Sequence, residues 1–260
     1  MPRLPCALRF SYDGSAFRGW QRQPGMATVQ EEIERALQSC LGKKVTIFGA
    51  ARTDAGVHAE GQICHFVKEA VDNEAAVDAL FFDLRGQLHD SIRLSGAALA
   101  HPSFHARSSA SGKRYRYKFS WGAKTDPEEK QSFQLGPEAK PDWDRARRAL
   151  EGLRELAALP GLSSPSTDRR PAPPLTSFTI TAEKNGCALD LAGPAFRKHQ
   201  VRNMAGHLAA VALNLAEPET LSSLAQRTRP WMGACAPPHG LTLLSVTYPR
   251  ELDPFREGPR

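Results

Sequence analysis

The sequence predicts an α/β fold, of the α+β kind, made of two halves that each run strand–helix–strand–strand–helix–strand. Three observations predict it. Leu8, Phe10 and Tyr12 alternate with Ala7, Arg9 and Ser11, which is the period of a half-buried strand. Val29, Ile33, Ala36, Leu37, Cys40 and Leu41 fall on one helical face. The same order of strand and helix types then recurs in the second part of the chain, from about residue 107.

Taken in order, the first strand ends in a glycine-rich turn at Asp13-Gly14. Thr28 and Glu31 have capping-box spacing and start the first helix. Strands are expected at 45–48 and 62–67, a helix at 73–84 and a strand at 92–99. This order gives a ferredoxin-like half over residues 1–106. In the second half, residues 107–260, a strand is expected at 115–120. A helix follows at 141–153, with Pro141 in its first turn. Residues 160–174 hold five prolines and four Ser or Thr, which predicts a mobile loop that does not pack. Asn185-Gly186 sits between apolar runs at 175–182 and 187–192, a hairpin signal. Val201, Met204, Ala205, Leu208, Val211, Ala212 and Leu215 line one face of a helix, with Pro218 beyond its end. A short helix at 219–226 and a strand at 241–247 complete the chain.

Composition sets the outer bounds. A chain of 260 residues with 41% hydrophobic residues can bury a sizeable core. No apolar run approaches the roughly 18–20 residues that span a bilayer, and the N-terminal residues lack the h-region of a signal peptide, so a cytoplasmic protein is expected. The five cysteines are scattered, with no C-x-x-C pair, which favours free thiols over disulfides or a zinc site. Net charge is +6, a mild signal for a polyanionic partner. Its distribution is sharper. Arg107, Lys113, Arg114, Arg116 and Lys118 lie between residues 107 and 120 with no carboxylate, and Tyr115 and Tyr117 are interleaved with them. Cations for phosphates beside aromatics for bases suit single-stranded RNA. A solvated edge strand guarded by charge has the same composition.

Residues 49–62 carry the most chemistry. Seven of them are Gly or Ala, so backbone or substrate can approach closely. Arg52 and Asp54 stand two positions apart, and in an extended segment they share a face. Those two residues can address one site; equally, Asp54 can cap a turn while Arg52 meets solvent.

Five ordered blocks add a resemblance. Residues 49–62, with Arg52-Thr53-Asp54-Ala55-Gly56-Val57-His58 at their centre, resemble the catalytic motif of the tRNA pseudouridine synthase A family. Tyr12-Asp13-Gly14, Gly19-Trp20-Gln21-Arg22-Gln23 and Thr28-Val29-Gln30 resemble its N-terminal block. Phe104-His105-Ala106-Arg107 with Arg114-Tyr115-Arg116-Tyr117 resembles its second motif, and Phe196, His199, Val201-Arg202-Asn203 and Gly206 its third. Ala236-Pro237, Gly240-Leu241 and Tyr248-Pro249 are similar to its C-terminal strand. The resemblance implies two fused halves that share an extended mixed sheet, with helices on one face and an RNA-binding cleft between them. It implies a homodimer with no cofactor and no metal. It implies isomerisation of uridine to pseudouridine in the anticodon stem-loop of tRNA, at tRNA positions 38, 39 and 40.

The same resemblance distributes roles. Asp54 is the nucleophile, attacking a carbon that the sequence leaves open, C1′ or C6. A carboxylate that forms a covalent intermediate divides a difficult exchange into easier steps. Arg202 keeps Asp54 ionised, as a neighbouring guanidinium does. Tyr115 stacks on the target base and assists loss of the C5 proton. Arg52 occupies the gap left by the flipped uridine. Arg22, Gln23, Arg107, Arg114 and Arg116 are RNA-contact candidates, and His58 is a lesser one with a structural alternative. The chain departs from the family at Leu88-His89, at residues 153–156 and in the proline-rich segment. Two rivals are an inactive RNA-binding protein on this fold, and a glycosidase. The glycosidase needs a second carboxylate, and only Glu60 stands near Asp54 in sequence. A synthase acting on a different RNA site is the third reading, since loops set sites.

Overall fold

The computed structural model describes residues 4–67, 71–122, 131–168 and 170–256. They contain nine strands and five α-helices. The chain divides into two compact units, residues 1–111 with 243–260, and residues 112–242.

The first unit opens with β1 (Pro5–Tyr12), α1 (Val29–Leu41), β2 (Phe48–Gly49), β3 (His58–Val67), α2 (Glu74–Arg85) and β4 (Ile92–Leu99). β1 lies between β3 and β4, antiparallel to both, with Leu8 opposite Cys64 on one side and Ala97 on the other. β2 is antiparallel to β3. These pairings are those of a ferredoxin-like half. Thr28 caps α1 through its side chain, accepting from the Glu31 N–H, and Asn73 caps α2 in the same way. Ile33 and Leu37 of α1, and Val77, Leu80 and Leu84 of α2, are buried, and the two helices pack on each other.

The strand expected at 45–48 is reduced to Phe48–Gly49. The reason lies in α1. The Ile47 N–H donates to Glu34 Oε1 (3.1 Å), and Gln30 Nε2 donates to the Ile47 carbonyl (3.3 Å). Side chains have taken the backbone groups that a ladder would use. The short β2 pairs only with Cys64 and His65, and β9 (Leu241–Thr247) is the other neighbour of β3 on that side. At Gly61 a Cβ would lie 2.4 Å from the Leu244 carbonyl oxygen. The tail stays with this unit: Tyr248 Oη donates to the Ala106 carbonyl (2.8 Å), and the Arg9 guanidinium sits 5.0 Å from the Phe255 ring centre. A division by sequence at 106/107 leaves these residues in the second half; the contacts divide the chain at 111/112 and return 243–260 to the first unit.

The second unit holds β5 (Gly112–Ser120), β6 (Phe133–Gln134), α3 (Trp143–Glu151), β7 (Ser177–Ala182), β8 (Gly186–Gly193), α4 (Gln200–Ala212) and α5 (Glu219–Ala225). The order β5-β8-β7 is antiparallel throughout, with β6 parallel to β5. α3 starts at Trp143, not at 141: the Asp142 carboxylate accepts from the Asp144 and Arg145 N–H groups and outcompetes Pro141 as the start signal.

The proline-rich segment corrects its expectation, apart from Arg169, which lies outside the described residues. Its ends pack: Leu162 and Ala172 are buried and Pro160–Leu162 forms a 3-10 turn, while residues 165–168, 170 and 171 are exposed. Its polar backbone is used: Asn203 Nδ2 donates to the Leu162 carbonyl, Ser164 N–H to the Lys198 carbonyl, and Trp231 N–H to the Ser163 carbonyl. Arg197 bridges Asp168 (3.1 Å) and the Pro171 carbonyl (3.2 Å). Proline content lowers the entropy to be lost on ordering, and two apolar anchors and a few hydrogen bonds suffice to order it. No disulfide joins the cysteines at 6, 40, 64, 187 and 235.

Candidate active site

The Asp54 segment is fixed from both sides by the first unit. β2 delivers it and β3 receives it. A turn closes it, with the Val57 N–H donating to the Asp54 carbonyl (3.1 Å). Gly56 sits at φ +79°, the left-handed position such a turn requires. On one flank Gln62, fully buried, accepts from the Ala51 N–H (3.2 Å) and donates to the Ala51 carbonyl (2.8 Å). Its amide also donates to Tyr12 Oη (3.3 Å), and that hydroxyl bonds Thr53 Oγ1 at 2.8 Å. Burial pushes the Tyr12 hydroxyl up to about 12, so it keeps its proton at any working pH. On the other flank the Trp20 N–H donates to the Thr53 carbonyl (3.0 Å). Gly19, at φ +93°, lies where a Cβ would stand 3.0 Å from that carbonyl oxygen and 3.1 Å from the Ala55 nitrogen. Thr53 is therefore buried and tied by both backbone and side chain, while Arg52 is exposed and Asp54 half-buried.

His58 is 5% exposed and its Nδ1 accepts from the Gly14 N–H (3.2 Å) while lying 3.1 Å from Asp13 Oδ1. It closes the far end of the loop against the N-terminal turn. Burial raises the Asp13 carboxyl, but hydrogen bonds from Ser15 and the His58 ring outweigh it and hold the group below the usual range. Arg22 is bound to Glu34 (2.6 Å), and Gln23 is exposed with a long bond to the Arg18 carbonyl (3.4 Å). Arg107 is exposed; burial first, and the Arg52 guanidinium second, push its pKa down.

The second unit presents its own set. On β5 the Tyr115 ring, 8% exposed, meets Phe196 edge-on at 5.1 Å and 80°. Tyr117 is fully buried and donates to the Pro237 carbonyl (2.8 Å). Arg202, on the first turn of α4, is half-buried and donates through Nε to the Ala236 carbonyl (2.8 Å), whose own N–H returns to the Arg202 carbonyl (3.1 Å). Its guanidinium is close enough to Tyr117 to oppose the strong upward push of burial on that hydroxyl.

The cation stripe on β5 has an acid that local sequence does not display. Asp190 stands opposite Arg116 on β8. It accepts two bonds from Arg116 (2.7 and 2.8 Å) and one from Arg114 (2.6 Å). Burial acts to raise the Asp190 carboxyl; these bonds win and hold it below the usual range. The two guanidiniums are thus held side by side around one carboxylate.

Sequence reasoning left Tyr12, Thr53, Gln62 and Asp190 without roles. For the first three the signal was faint: polar atoms on positions whose periodicity is apolar. For Asp190 it required strand register.

The molecule carries two halves of polar chemistry with a loop carboxylate in one and a basic, aromatic strand in the other. Among the described residues no group of three or more His, Cys, Asp or Glu side chains is arranged to hold a metal, and no helix is long and apolar enough to cross a membrane. The family profile described as tRNA pseudouridine synthase matches residues 9–99 and 148–249. The chain belongs to the tRNA pseudouridine synthase family. Curated relatives agree. A tRNA pseudouridine synthase A of Shewanella baltica (strain OS155 / ATCC BAA-1091) is 34% identical, over 94% of this chain and 93% of that protein. The protein of that name from Shouchella clausii (strain KSM-K16) is 35% identical, over 97% and 95%. A solved archaeal box H/ACA sRNP complex of Nop10 and Cbf5 is similar at TM-score 0.30 and 9% identity, over 79% of this chain and 45% of that one, which is too slight to carry an argument. As a pseudouridine synthase the chain is an isomerase acting on tRNA uridine. The tRNA pseudouridine synthase profile covers the Asp54 loop and the Arg202 helix and leaves out residues 100–147, so Tyr115 lies outside the matched segments.

Proposed function

We propose that this synthase isomerises uridines of the tRNA anticodon stem-loop, at tRNA positions 38, 39 and 40, with Asp54 as nucleophile. The observation that carries the reading is the way the loop is held. Thr53 and Ala51 are fixed by buried hydrogen bonds while the next residue, Asp54, is the half-buried carboxylate they present. A nucleophile gains its rate from being held in attack geometry before substrate arrives.

The carboxylate attacks either C1′, releasing the uracil ring from the sugar, or C6, adding across the 5,6 double bond. In both routes the N1–C1′ bond breaks, the base turns, C5 bonds to C1′, the Asp54 bond breaks, the C5 proton leaves and N1 takes up a proton. The role assigned to Arg202 is to keep the nucleophile ionised. Tyr115 stacks on the base and takes part in C5 proton removal. Arg52 fills the space of the flipped uridine, which costs unstacking energy that contacts must offset. Arg114 and Arg116, with Arg22, Gln23 and Arg107 in lesser parts, serve the RNA backbone, and buried His58 takes its structural alternative, bracing the loop. The working form is a homodimer in the cytoplasm, where the tRNA is.

Asp54→Asn tests the core of this. The amide keeps shape and removes the nucleophile, so single-turnover rate falls by several orders of magnitude while tRNA binding and the melting curve stay unchanged. A variant keeping a tenth of the parent rate rules Asp54 out. Mapping pseudouridine in tRNA from cells with and without the gene tests the stem-loop assignment separately.

A further inference from the structure

At the mouth of the Asp54 loop the first unit leaves an aromatic ring in water. Phe48, 50% exposed, lies flat on the imidazole of His65, with centroids 5.3 Å apart and planes at 28°. His105 meets both rings, at 4.7 Å from His65 and 5.6 Å from Phe48. The platform is rigid. His65 Nδ1 accepts from the Ala106 N–H (3.2 Å), and His105 Nδ1 accepts from the Arg107 and Ser108 N–H groups (3.2 and 3.3 Å). Burial, and then His105, push the His65 pKa down to about 4, so the ring under Phe48 is uncharged at neutral pH.

An exposed aromatic ring face is a surface on which an unpaired base can stack.

We propose that Phe48, seated on His65, is a stacking platform for an unpaired nucleotide of the tRNA substrate. The inference rests on tRNA being the substrate; it holds whichever loop is modified. Bases in a duplex have no free face, so the platform selects single-stranded nucleotides.

The test uses full-length protein carrying Asp54→Asn and reads tRNA affinity, a quantity that does not depend on which residue is the nucleophile. Phe48→Leu keeps apolar volume and removes the ring face; Phe48→Tyr keeps the face. One stacked base is worth about 5- to 100-fold in affinity. Phe48→Leu should raise the Kd for a whole tRNA transcript within that range, Phe48→Tyr should stay within about twofold of the parent, and a blunt RNA duplex should bind all three alike. Equal binding of tRNA by the Leu variant overturns the proposal, as does an equal loss for tRNA and duplex. If Phe48→Leu fails to melt cooperatively, ultraviolet crosslinking of 4-thiouridine tRNA to the parent decides: an adduct at Phe48 supports the platform, and adducts confined to other peptides overturn it.

Discussion

Tyr12→Phe isolates the hydrogen bonds that hold the Asp54 loop. The ring remains, so no cavity forms and the packing of Tyr12 against Trp20 (centroids 6.3 Å) is kept. What is lost is the hydroxyl, and with it the 2.8 Å bond to Thr53 Oγ1 and the 3.3 Å bond from Gln62 Nε2. Gln62 keeps both bonds to Ala51. Tyr12, Thr53 and Gln62 are 5%, 8% and 0% exposed, so water cannot readily replace the lost partner. A buried polar group left unsatisfied costs about 1–3 kcal/mol, and with one such group left at Thr53 the expected loss is about 2 kcal/mol. At roughly 2–4 °C per kcal/mol for a chain of this size, Tm falls by about 4–8 °C. Function should fall further than stability. Thr53 adjoins Asp54, and a misplacement of about 1 Å costs on the order of 10²-fold in rate. The assay is single-turnover release of tritium from 5-³H-uridine tRNA at saturating enzyme, beside calorimetric Tm and the tRNA Kd. The expected pattern is a rate lowered at least tenfold with Kd within twofold. Thr53→Val completes a cycle with a coupling of roughly 1 kcal/mol in stability. Unchanged rate and Tm in Tyr12→Phe, or strict additivity in the cycle, would refute the anchoring role.

Two further outcomes are expected. Tyr115→Phe keeps the edge contact with Phe196 and should bind tRNA normally; if the hydroxyl assists C5 proton removal, tritium release slows by roughly 10²-fold, whereas a rate within threefold of the parent leaves only stacking. Arg114→Ala should flatten the log–log salt dependence of tRNA binding by about one unit if that guanidinium reaches a phosphate; an unchanged slope confines Arg114 to orienting Asp190.

The local signals were strong enough to be read directly where one rule acted alone. The Thr28 cap, the helical stripe of α1, that of α4 as far as Ala212, and the strands at 92–99 and 241–247 are present in the molecule. Leu215 lies past the end of α4 and is exposed. The hairpin is present too, but it turns one residue earlier, at Lys184-Asn185, with Gly186 already in β8. Each is signalled by a pattern within about a dozen residues. The motif around Asp54 was equally legible, because its glycine and alanine content reflects a backbone that other backbone approaches.

What the sequence could not decide was which distant residues serve as partners. The strand at 45–48 was lost because Gln30 and Glu34 took the Ile47 backbone groups. The ends of the proline-rich segment are packed because Asn203, Arg197 and Trp231 supply partners from far along the chain. Composition gave Arg114 and Arg116 as bare charge; the register of β5 with β8 set Asp190 between them. Sequence by itself determined most of the elements and placed Asp54 on a loop between two of them. Tertiary structure decided what holds that loop: Tyr12 and Gln62 are 50 residues apart, and only the antiparallel pairing of β1 with β3, Phe10 opposite Gln62, brings their polar atoms within 3.3 Å in a site closed to water.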